Sequence, residues 1–191
     1  MEMNNDFYQM IIMEKERLKN SAFPEYREND GMGANFLIIC NGNATEVLDL
    51  ARKVLLIINE QYSAKTWPSD EKWLSLMPKN FLNNFEKEEK KITKNLWSNF
   101  FHKMTSKKPQ NSKWTFENWI FLMEPIDRSW FWWGATVIDE KDGNNYLFFT
   151  TRVLDDPFLA GTLKWLFLGA GAIEVLDEDE FSKRFNINLL K

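Results

Sequence analysis

Residues 130–154 read WFWWGATVIDEKDGNNYLFFTTRVL and decide the fold. Two runs rich in aromatic and apolar residues flank the dipeptide Asp142-Gly143, which suits tight turns whose central residues need positive φ. The segment therefore predicts a β-hairpin. If the dipeptide forms a two-residue loop, Lys141 pairs with Asn144, and every other cross-strand pair follows from that one.

The aromatic residues at the start of the hairpin cannot all face one core, because successive side chains of a strand point to opposite faces of the sheet. The predicted register divides them between two faces. The face that we expect to line the core contains Trp130, Trp132, Ile138, Leu147, Phe149 and Val153. The opposite face contains Phe131, Trp133, Ala135 and Val137 together with Tyr146, Phe148, Thr150, Arg152 and Leu154. A three-residue loop would shift the pairing, and this assignment of side chains to the two faces would no longer hold.

On the opposite face, we expect Trp133 to lie beside Arg152 as a cross-strand cation–π pair. This face mixes aromatic rings with a cation and hydroxyl groups. Two interpretations follow, a second buried layer beneath inserted helices or a face that binds a partner. In the second case the candidate binding residues are Phe131, Trp133 and Arg152.

The chain before the hairpin predicts a helix, a strand and a second helix. Apolar residues recur at helical spacing over residues 6–19, and the short apolar run 35–40 has the length of a strand. Asn43 and Glu46 then resemble a capping box at the start of an amphipathic helix over 44–60.

Residues 67–122 predict a helical insertion in several pieces. Ser69 and Asp70 can cap a short helix, and the segments near 87–103 and 115–122 carry further apolar residues with helical character. The insertion separates the first helix of the sheet from the aromatic hairpin.

After the hairpin, Asp156-Pro157 provides an N-cap followed by proline at the first helical position. The pattern predicts a helix over 158–168, and its only polar residues are Thr162 and Lys164, so we expect it to be buried on most sides. A final strand is predicted over 172–176.

The predicted order is helix, β, α, helical insertion, β, β, α, β. Without the N-terminal helix and the insertion, this is the ferredoxin-like or split βαβ order, in which two helices cover one face of an antiparallel sheet. A chain of 191 residues is expected to form one α+β domain over 1–191. The inserted helices and the N-terminal helix would cover part of the second face or an edge.

Composition excludes several classes of protein. The single cysteine, Cys40, rules out an intramolecular disulfide, and no apolar run reaches the ~18–20 residues that span a bilayer. The start of the chain lacks the features of a secretory signal, so we expect a cytoplasmic protein without membrane contact. A net charge of -4 argues against a dedicated nucleic-acid binder.

Charge is unevenly placed along the chain. Residues 86–113 hold eight Lys against three Glu, whereas residues 121–180 hold twelve acidic against four basic residues. The Lys-rich stretch is typical of a solvated helix face. The acidic half is expected to steer a basic partner.

No catalytic, metal or cofactor motif stands out, and no cofactor is expected. His102 is the only histidine, so a multi-histidine metal site cannot exist. Two acids beside stacked rings could serve sugar hydrolysis, although a turn, a helix cap and a strand end offer simpler explanations. The carboxylates near the aromatic hairpin are Glu124, Asp127, Asp139, Asp155 and Asp156. The alternative function is therefore a small enzyme or carbohydrate-binding module, and a third is a homodimer formed through the aromatic edge.

A set of aromatic, proline and glycine landmarks is spread over residues 67–172. The landmarks are Trp67-Pro68, Trp73, Met77-Pro78, the segment 114–119, the strand 130–133, Pro157-Phe158, and the segments 161–167 and 169–172. They resemble small bacterial proteins that are encoded beside polymorphic toxins of the contact-dependent, Rhs or type VI secreted kind. Proteins of this family act as immunity proteins.

The resemblance implies that the protein binds a cognate toxin domain in the cytoplasm and blocks its active site or substrate path. Clustered acids accelerate the encounter with a basic partner, and aromatic rings supply desolvated anchors. The acidic candidates are Asp139, Glu140 and Asp142 at the hairpin tip and Asp177, Glu178, Asp179 and Glu180 after the last strand. Their other interpretation is ordinary solvated loops.

Overall fold

Four strands and seven helices make up the part of the chain that the computed structural model describes, residues 5–20, 33–64, 66–86, 114–139, 145–154, 158 and 160–186. The strands are β1 (Gly33–Cys40), β2 (Trp130–Asp139), β3 (Asn145–Val153) and β4 (Ala172–Asp177). The helices are α1 (Asn5–Lys19), α2 (Ala44–Gln61), α3 (Asp70–Leu76), α4 (Lys79–Leu82), α5 (Phe116–Phe121), α6 (Gly161–Gly169) and α7 (Glu178–Phe185). The predicted α+β class is confirmed.

The four strands form one antiparallel sheet in the order β2-β3-β1-β4. Helices α2 and α6 pack against one face, which we call the core face. On the other face, the second face, α7 lies against β1 and β4, and α1 lies against β2. The two faces are therefore covered by different helices.

Aromatic rings fill the core face. The ring of Phe167 in α6 lies 5.9 Å from that of Trp132 and 4.9 Å from that of Phe149, centroid to centroid. In the same helix, Thr162 accepts a hydrogen bond from Nε1 of Trp130 at its hydroxyl (2.8 Å) and another from Nε1 of Trp119 at its carbonyl (2.9 Å). One residue thus satisfies two buried indoles, which would otherwise lose a hydrogen bond on leaving water.

The predicted hairpin register is wrong. Ile138 pairs with Tyr146 rather than with Leu147, a pairing that a two-residue loop at Asp142-Gly143 cannot produce. The dipeptide itself lies outside the described residues.

A β-bulge at Trp133 shifts the register again within β2. Trp132 pairs with Thr151, and Gly134 pairs with Thr150, the neighbour of Thr151 in β3. Trp133 is therefore the extra residue of β2. The extra residue changes which side chains share a face on either side of it.

The bulge determines which residues of β2 reach the core. Trp130 and Trp132, before it, are buried on the core face as predicted. Beyond it, Ala135 and Val137 face the core, and Ile138 lies on the second face with 37% of its surface exposed. The predicted faces of these last three residues are wrong, because alternation was carried through the bulge without a break.

The helices before and after the hairpin follow the prediction in part. Helix α2 begins after Asn43, whose side chain accepts a hydrogen bond from the N–H of Glu46 at 3.2 Å. Helix α6 begins at Gly161 instead of residue 158, while Asp156-Pro157 lies outside the described residues. None of the described helices is long and apolar enough to cross a membrane.

The described part of the helical insertion packs against α6. The rings of Phe85 and Trp165 lie 5.5 Å apart. A Cβ added to Gly169 would come within 2.6 Å of Cε2 of Phe81, so glycine permits the close approach of α4 to the end of α6. In the described residues, cover of the second face comes from α1 and α7. The N-terminal helix therefore covers part of this face as expected, whereas the described part of the insertion lies against α6. The predicted helix over 87–103 lies outside the described residues.

Helix α7 replaces the acidic loop expected after the last strand. Asp177 is its N-cap, since its side chain accepts a hydrogen bond from the N–H of Glu180 and the Glu180 carboxylate accepts one from the N–H of Asp177, both at 3.0 Å. Phe181 and Phe185 follow with one helical turn between them. This Asp-x-x-Glu capping box followed by two spaced apolar residues was the sequence signal for the helix.

Candidate protein-binding face

Helix α1 covers the aromatic residues that the sequence offered to a partner. The ring of Phe7 lies 5.4 Å from that of Phe131, and the guanidinium of Arg17 lies 3.6 Å from the centroid of Trp133. Only 2% of Phe131 and 4% of Trp133 are exposed. The cation on Trp133 is Arg17 and not the predicted Arg152, because the different register at the turn and the bulge together pair Arg152 with Phe131.

A buried carboxylate holds α1 against the sheet. Oε1 of Glu14 accepts hydrogen bonds from Nη2 of Arg128 at 2.6 Å and from the backbone N–H of Trp132 at 2.5 Å. Its other oxygen, Oε2, accepts from Nδ2 of Asn59 in α2 at 2.8 Å. Glu14 therefore joins α1, α2, β2 and the segment before β2 at one point.

Arg128 provides the opposite charge and is itself buried. Its Nε donates to the carbonyl of Trp130 at 2.9 Å, and its Nη1 donates to Oδ1 of Asn59 at 3.0 Å. Burial by itself lowers the pKa of Arg128, but the charge of Glu14 and the hydroxyl of Tyr62 outweigh that effect and raise it. The guanidinium thus stays charged, and each of its three nitrogens and both oxygens of Glu14 take part in a hydrogen bond.

The sequence reasoning missed this group of residues, although one signal for it was present. Glu14 falls among the apolar positions of α1, on the face that carries Ile11 and Leu18. A carboxylate on a buried face requires a buried cation or donor to offset its desolvation. The sequence could not say that Arg128, so distant along the chain, supplies it.

Between α1 and α7, part of the second face is exposed. Thr136 and Ile138 on β2 are exposed, and Phe148 on β3 and Leu37 and Ile39 on β1 are half-buried. The pairing places Thr136 beside Phe148 and Phe148 beside Leu37, so the five residues are contiguous. We call these five residues the exposed strip.

A polar border adjoins the exposed strip. Thr150 donates a hydrogen bond to Oδ1 of Asn35 at 2.8 Å, and Nδ2 of Asn35 donates to Oε2 of Glu178 at 3.0 Å. The half-buried Arg152 follows on the same face of β3. Apolar side chains bordered by hydrogen-bonding and charged groups are typical of protein interfaces.

The acidic candidates at the end of the chain divide into two kinds. Asp177 and Glu180 are engaged in the capping box, and both also contact Nζ of Lys164, at 3.4 and 2.9 Å. Glu178 and Asp179 are exposed in the first turn of α7, and Glu178 bonds the polar border through Asn35. Asp177 and Glu180 are thus held by structural contacts within the protein, whereas Glu178 and Asp179 are the more exposed residues of the four.

The acidic candidates at the hairpin tip are described only at one position. Asp139 is the last residue of β2 and pairs with Asn145. Glu140 and Asp142 lie outside the described residues. The tip therefore contributes no side-chain geometry to the candidate site.

Other chemically active groups are not assembled into a site within the described ranges. No three His, Cys, Asp or Glu side chains gather there as a metal site. Burial raises the pKa of the Cys40 thiol to about 11, which keeps it protonated at neutral pH. His102 lies outside the described residues.

No protein-family model, curated protein or solved structure matches this chain. The residues that could carry a function are therefore identified from their burial, register and charge. By these properties the exposed strip with its polar border is the candidate site.

Proposed function

We propose that this protein is an immunity protein that binds a cognate bacterial toxin domain in the cytoplasm and neutralises it by stoichiometric occlusion. The observation that carries the proposal is the exposed strip, which leaves apolar side chains at the surface of a well-covered sheet. The resemblance of residues 67–172 to immunity proteins supports the same interpretation. The protein acts as a binder, without catalysis of its own.

The fold proposed for this function is ferredoxin-like. Read from the opposite edge, the strand order is β4-β1-β3-β2, and β1-α2-β2-β3-α6-β4 is the chain order once α1 and the insertion are set aside. Such a sheet has two helices on one face and leaves the other available. In this protein α1 and α7 take up part of that face and confine the available surface to the exposed strip.

The exposed strip would supply the desolvated centre of the interface. Ile138 is the most exposed of its apolar residues and lies on an edge strand, where a partner can reach it. Burying a side chain of this size in a partner pocket is favourable, and such central anchors dominate binding free energy. Asn35 and Arg152 on the polar border would then fix orientation by hydrogen bonds and charge.

The exposed carboxylates would act earlier, during encounter. Glu178 and Asp179 stand at the start of α7 beside the polar border, and a negative surface attracts a basic toxin domain from solution. Their contribution is to the association rate, and salt screens it.

A test compares two isoleucine variants for binding to the product of the adjacent upstream gene, the expected toxin. We expect Ile138→Asp to weaken binding by about tenfold or more, because it places a charge in the desolvated centre. The matched control is Ile173→Asp, since Ile173 is 57% exposed on β4 at the other edge of the sheet. Titration calorimetry gives both affinities, and toxin neutralisation in cells gives the functional result.

Three outcomes decide the proposal. Selective loss of binding and neutralisation in Ile138→Asp supports it. Equal affinities of both variants would remove the exposed strip from the interface. Failure of the unaltered protein to bind or neutralise the upstream product would remove the immunity function itself.

A further inference from the structure

Side chains occupy the outer edge of β2, where a further strand would otherwise lie. Among the strands that the structure describes, in the order β2-β3-β1-β4, β2 has a neighbour on one side only. The carbonyl of Trp130 and the N–H of Trp132 are bonded to Nε of Arg128 and Oε1 of Glu14, at 2.9 and 2.5 Å. Backbone groups of an antiparallel strand alternate between its two sides, so these groups point away from β3. Glu14 and Arg128 therefore take the place of a neighbouring strand.

Helix α1 is held on this edge by few buried apolar side chains. Its buried apolar side chains are Ile11 and Leu18, with Phe7 and Met10 partly buried against the core, whereas α2 buries Ala44, Val47, Leu48, Ala51, Val54, Leu55 and Ile58. The remaining buried links are made by Glu14, which pairs with Arg128 and accepts hydrogen bonds from Trp132 and Asn59, and desolvation cancels much of the attraction within such an ion pair. Elements with few buried apolar contacts open locally, before the rest of the structure.

Release of α1 would uncover an edge that favours association. The N–H of Trp132 would lose its bond to Glu14, Arg128 would lose its paired carboxylate, and the rings of Phe131 and Trp133 would lose Phe7 and Arg17 as cover. An uncovered edge strand beside exposed rings pairs readily with another strand. Since one edge carries donors and acceptors in alternation, two copies of β2 related by a twofold axis satisfy each other.

We propose that α1 is a releasable cap on the β2 edge, and that its release allows two copies of this chain to pair through β2. The cap keeps the protein monomeric while it is docked. The surface concerned is the backbone edge of β2, whereas the exposed strip is a face of side chains to which β2 contributes Thr136 and Ile138. This proposal is tested by self-association, which requires no toxin.

The first experiment is amide hydrogen exchange of the unaltered protein, resolved by residue. We expect the Trp132 amide, which is bonded only to Glu14, to exchange roughly tenfold or more faster than the Phe149 amide in the middle of the sheet, because α1 opens while the sheet stays intact. Equal exchange rates would mean that α1 is released only on global unfolding. That result would overturn the proposal.

The second experiment measures self-association of full-length variants by analytical ultracentrifugation. Glu14→Gln removes the charge that holds Arg128, and we expect it to form dimers at concentrations where the unaltered protein is monomeric. Glu16→Gln is the matched control, because Glu16 is exposed on the same helix and should leave the protein monomeric. A folded, monomeric Glu14→Gln variant would contradict the proposal.

A third measurement identifies the surface used by the dimer. Cys40 is buried, so a cysteine introduced at the exposed Thr136 of β2 can be spin-labelled selectively. In the Glu14→Gln background, strands that pair about the uncapped Trp130–Trp132 segment place the two Thr136 residues about ten positions apart, roughly 33 Å at ~3.3 Å per residue, so we expect a label-to-label distance of about 30–40 Å. A dimer with labels well outside this range would exclude pairing at this part of the β2 edge. If Glu14→Gln does not fold, Arg128→Lys, which keeps the charge but loses the bond from Nε, takes its place in both measurements.

Discussion

At the scale of single residues, Thr162 joins two indoles through one side chain and its own carbonyl. Thr162→Val keeps the shape of the side chain but leaves Nε1 of Trp130 buried without an acceptor. We expect the free energy of unfolding to fall by about 1–3 kcal/mol, the cost of one buried unsatisfied donor. Urea denaturation monitored by circular dichroism measures it.

The control for this prediction is Thr136→Val, the same substitution at an exposed position of β2. It removes a hydroxyl that is open to water, so we expect a change within about 0.5 kcal/mol. If both variants lost the same free energy, the hydrogen bond to Trp130 would not be the cause.

Glu124, in the turn before β2, leads to a prediction about how stability depends on pH. Burial, and then the charge of Asp127, raise the pKa of Glu124. A carboxyl with a raised folded pKa stabilises the protein most below its unfolded pKa and loses that contribution as the pH rises through the folded value. The ionised form is thus unfavourable at neutral pH. We expect Glu124→Gln to raise the thermal midpoint at neutral pH and to have little effect near about pH 3, below the range where Glu ionises. Differential scanning calorimetry at both pH values tests it.

Glu71 serves as the comparison, because its pKa is shifted in the opposite direction to that of Glu124. Hydrogen bonds from its own backbone N–H and from the side chain of Ser69 lower its pKa. The ionised form is therefore the favoured one, so Glu71→Gln should leave the midpoint at neutral pH unchanged or lower it. A rise in the midpoint like that of Glu124→Gln would show that general relief of negative charge, and not burial of Glu124, is responsible.

At the scale of elements, the start of α7 separates structural from recognition roles among the acidic candidates. Asp177 caps the helix, whereas Asp179 in the first turn is exposed. We expect Asp177→Ala to lower the free energy of unfolding by about 0.5–2 kcal/mol, as for loss of an N-cap. Asp179→Ala should lower it less, since only its interaction with the helix dipole is lost.

Urea denaturation and exchange of the α7 amides distinguish the two variants. Faster exchange confined to Asp177→Ala would identify the cap as the cause. Comparable destabilisation by both would mean that charge near the helix terminus, and not the capping hydrogen bond, stabilises α7. Under the proposed function, Asp179→Ala should instead slow association with the toxin.

The same scale shows how far sequence patterns could reach. Helical spacing and the Asn43 cap were sufficient for α2, because both are local properties of the chain. The faces of β2 depend on the bulge at Trp133, which alternation alone cannot reveal. Gly134 was a usable sign, since glycine inside a strand pattern often marks a bulge. Beyond the bulge, the register of β2 is set by its pairing with β3. It therefore depends on two segments and cannot be predicted from the pattern of one.

At the scale of the whole molecule, the candidate site was predictable only in part. Arg152 was assigned to the second face correctly, and of the acidic candidates Glu178 and Asp179 are exposed beside the polar border. The sequence offered Phe131 and Trp133 as surface rings, but α1 covers both. These rings are covered because the ion pair between Glu14 and Arg128 holds α1 against β2. The two residues are far apart in the sequence, so no local sequence pattern predicts their contact.

The position of β1 inside the sheet has a consequence for biosynthesis. Its residue Asn35 finds its partners Thr150 and Glu178 only 115 and 143 residues later along the chain. During translation, the apolar strand β1 therefore leaves the ribosome well before β3 and β4, the two strands with which it pairs. Pairing between such distant segments is slow and exposes intermediates to aggregation. The period of greatest vulnerability for this protein thus falls during its translation, when α2 can already fold and shield one face of β1.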